Sequence, residues 1–175
     1  YKDKLTAASL NSDIGFCYNR KKKYDVAQKF YEKALQLSIE NKDYYNLLLV
    51  INSIGENFQN QGVIDSAEAY HKKCYDLCLK LNSPQDLGVT YLNLASIAII
   101  KKEYISALIL LDKAKAIGIE IHDLSLLESI YSSASNCYEM INNHANALNY
   151  YKKYISVRDS IFSEDNTKKN VQTEM

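Results

Sequence analysis

Ala27, Ala67, Ala107 and Ala147 stand 40 residues apart, each second in a nine-residue phrase: "VAQKFYEKA" (26–34), "SAEAYHKKC" (66–74), "SALILLDKA" (106–114) and "NALNYYKKY" (146–154). A fixed period of this length signals an array of one supersecondary unit that cannot hide its apolar faces alone. Written in 40-residue rows, the chain shows further columns. Gly15, Gly55, Ala95 and Ser135 form a small-residue column, with Ile14, Ile54, Leu94 and Ala134 before it and Tyr18, Phe58, Ala98 and Tyr138 three later. Four positions after the alanines come Tyr31, His71, Leu111 and Tyr151, then Ala34, Cys74, Ala114 and Tyr154.

Within each row the apolar and small positions recur at three and four, the spacing of a helical face rather than of a strand. Only one proline and five glycines occur in 175 residues, which also disfavours a turn-rich strand fold. Short polar breaks at "RKKK" (20–23), "NQG" (60–62), "KKE" (101–103) and "NN" (142–143) divide each row into two antiparallel helices. Rows meet at "NKD" (41–43), "NSP" (82–84) and "HD" (122–123). The pattern predicts helices at 3–20, 24–40, 44–61, 64–81, 85–101, 104–121, 124–141 and 144–162. Pro84 suits a first helical turn, with Ser83 as its cap. The small column would let the first helix of each row approach the second closely, with large rings filling the remaining space.

Gly or Ala, then Tyr, Ala, an aromatic and Ala at offsets 0, 3, 12, 16 and 19 resembles the tetratricopeptide repeat, most closely in "NSDIGFCYNRKKKYDVAQKFYEKAL" and "NSIGENFQNQGVIDSAEAYHKKC". Rows three and four drift at the glycine column, and the family's tryptophan position holds Asn11, Ile51, Tyr91 and Tyr131. The period of 40 exceeds the family's usual 34 and implies longer helices. The resemblance implies an all-α fold: a right-handed α-solenoid of four helical hairpins, repeats about 8–42, 48–82, 88–122 and 128–162, in one domain over 1–162. It also implies a module that holds protein or peptide partners and does not catalyse.

The residues themselves offer little chemistry. No glycine-rich phosphate loop, nucleophile elbow or zinc-protease motif occurs. His71, Cys74 and Cys78 share a helical face and are types that bind zinc, but they stand in columns filled elsewhere by Tyr31, Leu111, Ala34 and Ala114. Core packing is therefore expected for them and for Cys17 and Cys137, with no metal or other cofactor. His122 and His144 read as surface or capping residues. Lysines and arginines equal acidic residues at 21 each, so bulk charge gives no reason to expect nucleic acid or an anionic membrane as partner. No run is apolar enough for a membrane span and no signal peptide is read. The chain opens at Tyr1 and reads as a piece of something longer.

By the family's pattern, the first helices of the rows line a concave groove. Its twenty positions run from Ser9, Ser12, Phe16, Asn19 and Arg20 in row one to Ser129, Ser132, Asn136, Glu139 and Met140 in row four. The candidate peptide-binding residues among them are Asn52, Glu56, Gln59, Leu92, Ser96, Ile99, Ile100, Asn136, Glu139 and Met140. Amides can pair with a peptide backbone, and Leu92, Ile99, Ile100 and Met140 form an apolar patch that could seat a side chain or pack on more of the chain. Only Arg20 is basic among the twenty, so the family's clamp for a terminal carboxylate is not expected.

After Phe162 only Val171 and Met175 are apolar, so 163–175 reads as a polar tail or linker. "YKKYISVRDSIF" followed by a charged stretch approaching "NVQTEM" resembles repeat-containing sensor proteins of Bacteroidetes-type bacteria. In these, such repeats precede a membrane helix and a histidine kinase or DNA-binding output. That resemblance implies a non-catalytic input domain, extracytoplasmic in a membrane-anchored sensor. The alternative is a free-standing cytoplasmic adaptor. A homodimer is possible in either case, through an uncapped end such as residues 1–20.

Overall fold

The computed structural model describes the backbone of residues 2–173 and the side chains of residues 7–163. Eight helices follow in order: α1 (Lys2–Arg20), α2 (Tyr24–Glu40), α3 (Tyr44–Gln61), α4 (Ile64–Leu81), α5 (Pro84–Ile100), α6 (Tyr104–Glu120), α7 (Leu124–Met140) and α8 (His144–Thr173). The described residues contain no strand. The first seven helices fall within one residue of the ranges read from the pattern. The eighth does not stop at 162. Residues 163–173 contain no glycine or proline, so nothing in them breaks a helix already under way.

The chain forms two compact units, Tyr1–Ser83 and Pro84–Met175, each of two helical hairpins. In the first, α1 packs on α2, α2 on α3, and α3 on α4; in the second, α5 to α8 repeat that order. The first helices of adjacent hairpins also touch, α1 with α3 and α5 with α7.

One turn is used at the end of each of the first seven helices. Lys22, Lys42, Gly62, Asn82, Lys102, His122 and Asn142, 20 residues apart, all adopt the left-handed region. Each time, the next residue's N–H reaches back five positions to a helix carbonyl, as from Lys23 to Tyr18 (2.9 Å) and from Val63 to Phe58 (2.9 Å). This closure satisfies carbonyls that a helix end would leave open. Three of the helices that follow are capped by side chains: α3 by Asp43 on the Asn46 N–H, α7 by Asp123 on the Leu126 N–H and α8 by Asn143 on the Asn146 N–H.

Inside each hairpin the columns interlock. A Cβ on Gly15 would lie 2.7 Å from the Tyr31 ring, and one on Gly55 would lie 2.7 Å from the His71 ring. The two glycines thus let a flat ring lie directly on the neighbouring backbone. Where the small residue is Ala95, the partner is Leu111 in the same core. Ser135 turns its hydroxyl into a tie and donates to the Ala147 carbonyl (2.9 Å). All four phrase alanines are buried. A second equivalence spans the last two rows: Lys113 sits 5.5 Å over Tyr91 and Lys153 5.9 Å over Tyr131, both 22 residues on.

The ring column does not stay buried throughout. Tyr31 is covered by Val50 and Ile54 of α3, and Leu111 by Leu126 and Ile130 of α7. Tyr151 stands half-exposed, since no described helix follows α8 to cover it.

Candidate functional site

The predicted binding residues fall on two surfaces, one in each unit. In the first unit, Asn52, Glu56 and Gln59 follow one another along one side of α3 at helical spacing and are partly buried. Asn52 Nδ2 donates to Glu56 Oε1 (2.8 Å). Burial raises the Glu56 carboxyl above its ordinary range, and the Asn52 hydrogen bond partly offsets this.

Beside them runs an amide chain joining α1, α2 and α3. Asn60 Nδ2 donates to Asn19 Oδ1 (2.8 Å), and Asn19 Nδ2 donates to Asn57 Oδ1 (2.9 Å). Asn57 Nδ2 in turn donates to the Tyr24 carbonyl (3.3 Å) and to Gln28 Oε1 (3.1 Å). Asn57 is fully buried, whereas Asn60 lies at the exposed end. Asn19 and Asn60 stand among the twenty groove positions, but Asn57 and Gln28 were not legible as partners. An asparagine two positions after the glycine column carries no signal until α2 lies across it. Phe16 and Leu49, on the same helical stripes as Asn19 and Asn52, remain exposed and flank the amides with apolar surface.

In the second unit Leu92, Ser96, Ile99 and Ile100 lie on α5, and Asn136, Glu139 and Met140 on α7. The apolar patch read from the sequence divides. Leu92 and Ile99 pack against the core formed by Ala95, Ala98, Leu111 and Ile130, whereas Ile100 and Met140 are about half exposed. Asn136 and Glu139 are exposed.

The zinc-type residues behave as packing. His71, Cys74 and Cys78 are all buried along α4, and no three His, Cys, Asp or Glu side chains among the described residues are grouped to hold an ion. Both ring nitrogens of His71 lack a hydrogen-bond partner, and burial lowers its pKa to about 4. Cys137 is buried and its thiol is pushed up to about 11, which leaves it a poor nucleophile. Cys17 departs from expectation: it is exposed on α1, on the side away from the buried Ala8, Asn11, Gly15 and Asn19. Among the described residues no helix is long and apolar enough to cross a membrane.

Comparison with known proteins agrees with this geometry. Residues 5–80 match the family described as Tetratricopeptide repeat. No curated protein matches the chain. Among solved structures, BtubC (BKLC) from P. vanneervenii superposes with a TM-score of 0.76 at 20% identity, covering 88% of this chain and 64% of that one. Aspartyl phosphate phosphatase F from Bacillus subtilis gives 0.85 at 18% identity, covering 92% and 42%. A Rap protein complexed with Competence and Sporulation Factor gives 0.80 at 15% identity, covering 87% and 43%. The family match covers the first two hairpins, and these likenesses show an all-α helical-repeat fold. The chain spans less than two thirds of the length of each of these structures.

Proposed function

We propose that this chain is a non-catalytic module that binds a protein or peptide, using the side of α1 and α3 that carries the amides. The observation that carries this reading is the chain Asn60–Asn19–Asn57, with Asn52 and Glu56 beside it. The amides fix one another by hydrogen bonds, so Asn60 is held at its exposed end without paying much further ordering entropy on binding. Amides offer both a donor and an acceptor, which matches the alternation of a peptide backbone. Phe16 and Leu49 supply apolar contact next to them. A structurally similar Rap protein is known in complex with Competence and Sporulation Factor, which favours a ligand-holding role for the same fold. Ile100, Asn136, Glu139 and Met140 are a second surface for the same ligand class.

The finer reading is the input segment of a signalling protein such as a sensor histidine kinase. The wording of residues 150–162 supports it. A free-standing adaptor is the alternative. A reading frame that encodes an output module after Met175 favours the first, and one that ends without such a module rules it out.

Selection of a displayed random peptide library on the purified chain tests the binding role. Enriched peptides should share a sequence class, and Phe16→Ala or Asn60→Ala should weaken them at least tenfold, about 1.4 kcal/mol. Lys29→Ala, on the outward side of α2, should leave them unchanged. Leu92 and Ile99 make poor probes because their replacement also opens the core; Ile100→Asp and Met140→Asp test that surface cleanly. Failure to enrich any class, or binding indifferent to Phe16 and Asn60, contradicts the proposal.

A further inference from the structure

The outward stripe of each second helix falls at the same five positions in every row, and all of them are exposed. In α2 it reads Asp25, Lys29, Glu32, Gln36 and Ile39; in α4, Asp65, Ala69, Lys72, Asp76 and Leu79; in α8, Ala145, Asn149, Lys152, Ser156 and Asp159. In α6 it reads Ile105, Ile109, Asp112, Ala116 and Ile119. Ile105, Ile109 and Ile119 are each more than half exposed, at 60%, 57% and 51%. Nothing inside the hairpin needs these isoleucines, since Ala107, Leu111, Ala114 and Gly118 already form the buried side of α6. The stripes of α2 and α4 each carry one large aliphatic residue, Ile39 and Leu79, and that of α8 none, so three on α6 mark a face meant for contact.

The spacing and charge specify the kind of contact. Steps of four, three, four and three are those of a coiled-coil seam, about 21 Å long at 1.5 Å per residue. The stripe is also nearly symmetric about Asp112: Ile105 and Ile119 lie seven residues to either side, and the large Ile109 is balanced by the small Ala116. Lys102 precedes the helix and Glu120 ends it, both exposed. Antiparallel pairing with an identical helix therefore sets Ile105 against Ile119, Ile109 beside Ala116, and each Lys102 near the other copy's Glu120. A parallel arrangement would oppose like charges. The two Asp112 carboxylates would meet at the centre, and each is already bridged by Lys115.

We propose that α6 is the interface of a two-fold homodimer in which two copies of this chain pair antiparallel along Ile105, Ile109, Ala116 and Ile119. A seam of one helix per copy is smaller than a standard interface, so the dimer is weak and concentration-dependent.

Sedimentation of the purified chain tests this. The wild type should pass from monomer to dimer as concentration rises toward roughly millimolar, the weak end of specific association. Ile105→Glu with Ile109→Lys should stay monomeric while retaining helicity and melting temperature. Asp112→Leu should move the transition to about tenfold lower concentration. Glu120→Lys should weaken pairing, and adding Lys102→Glu should restore it, an outcome specific to a second copy. A wild type that stays monomeric across the range, a dimer that survives the double isoleucine replacement, or binding of α6 to lipid vesicles without self-association overturns the proposal.

Discussion

At the scale of single residues, the decisive feature is where a ring meets a backbone. Tyr31 lies so close on Gly15 that a methyl group there would intrude on its ring at 2.7 Å, and the ring is buried with no room to retreat. Gly15→Ala gains about 1 kcal/mol of helix propensity. Overpacking costs about 1–3 kcal/mol, so the variant should be less stable in denaturant titration. The same contact at Gly55 holds His71, whose two ring nitrogens are buried without partners. Its folded pKa of about 4 lies below the ordinary 6.5, so on acidification the unfolded chain takes up the proton first. Stability held above pH 6.5 should therefore drain away as pH falls from about 6.5 to 4. His71→Leu, copying Leu111 of the third row, removes the orphaned nitrogens. It should raise stability by about 1–3 kcal/mol at neutral pH and flatten the profile over that window, measured by thermal melts across pH. These contacts were partly legible: the column of small residues announced a close approach, but the cost at His71 appears only when burial and partners are known.

At the scale of elements, the sequence revealed the helices more readily than the turns between them. Helical spacing and the alanine period place seven of eight helices within a residue, because the apolar stripe fixes which face is covered and the polar breaks fix the ends. The 20-residue recurrence of the turn stayed hidden, since its left-handed position holds Lys, Lys, Gly, Asn, Lys, His and Asn. Only Gly62 advertised it. Lysine in that conformation carries strain of about 1–2 kcal/mol that glycine avoids, partly offset by glycine's greater freedom when unfolded. Lys42→Gly should thus stabilise by up to about 1 kcal/mol, and Gly62→Ala should destabilise by about as much, both read from chemical denaturation midpoints. The candidate site shows the same division. Asn52, Glu56 and Gln59 could be placed on one face by counting along α3, whereas Asn57 became part of the site only through α2, which no local pattern announces. Leu92 and Ile99 stood in the patch by register alone and are partly buried against the core, because residues on the border of a stripe serve both neighbours.

At the scale of the whole molecule, four copies of one hairpin carry the chain, two in each compact unit. Repetition also makes deviations readable. Where the outward stripe of α6 carries three large aliphatic residues and the other second helices carry at most one, the exception stands out against the repeat. Everything rests on the hairpins being equivalent in backbone as well as in spacing. Assigned Cα and carbonyl NMR shifts test this most directly. Helical shifts should be broken at seven points only, at residues 22, 42, 62, 82, 102, 122 and 142, each with left-handed values. Helical shifts running unbroken through any of these positions, or extended-strand shifts between them, would contradict the repeated hairpin and the surfaces built on it.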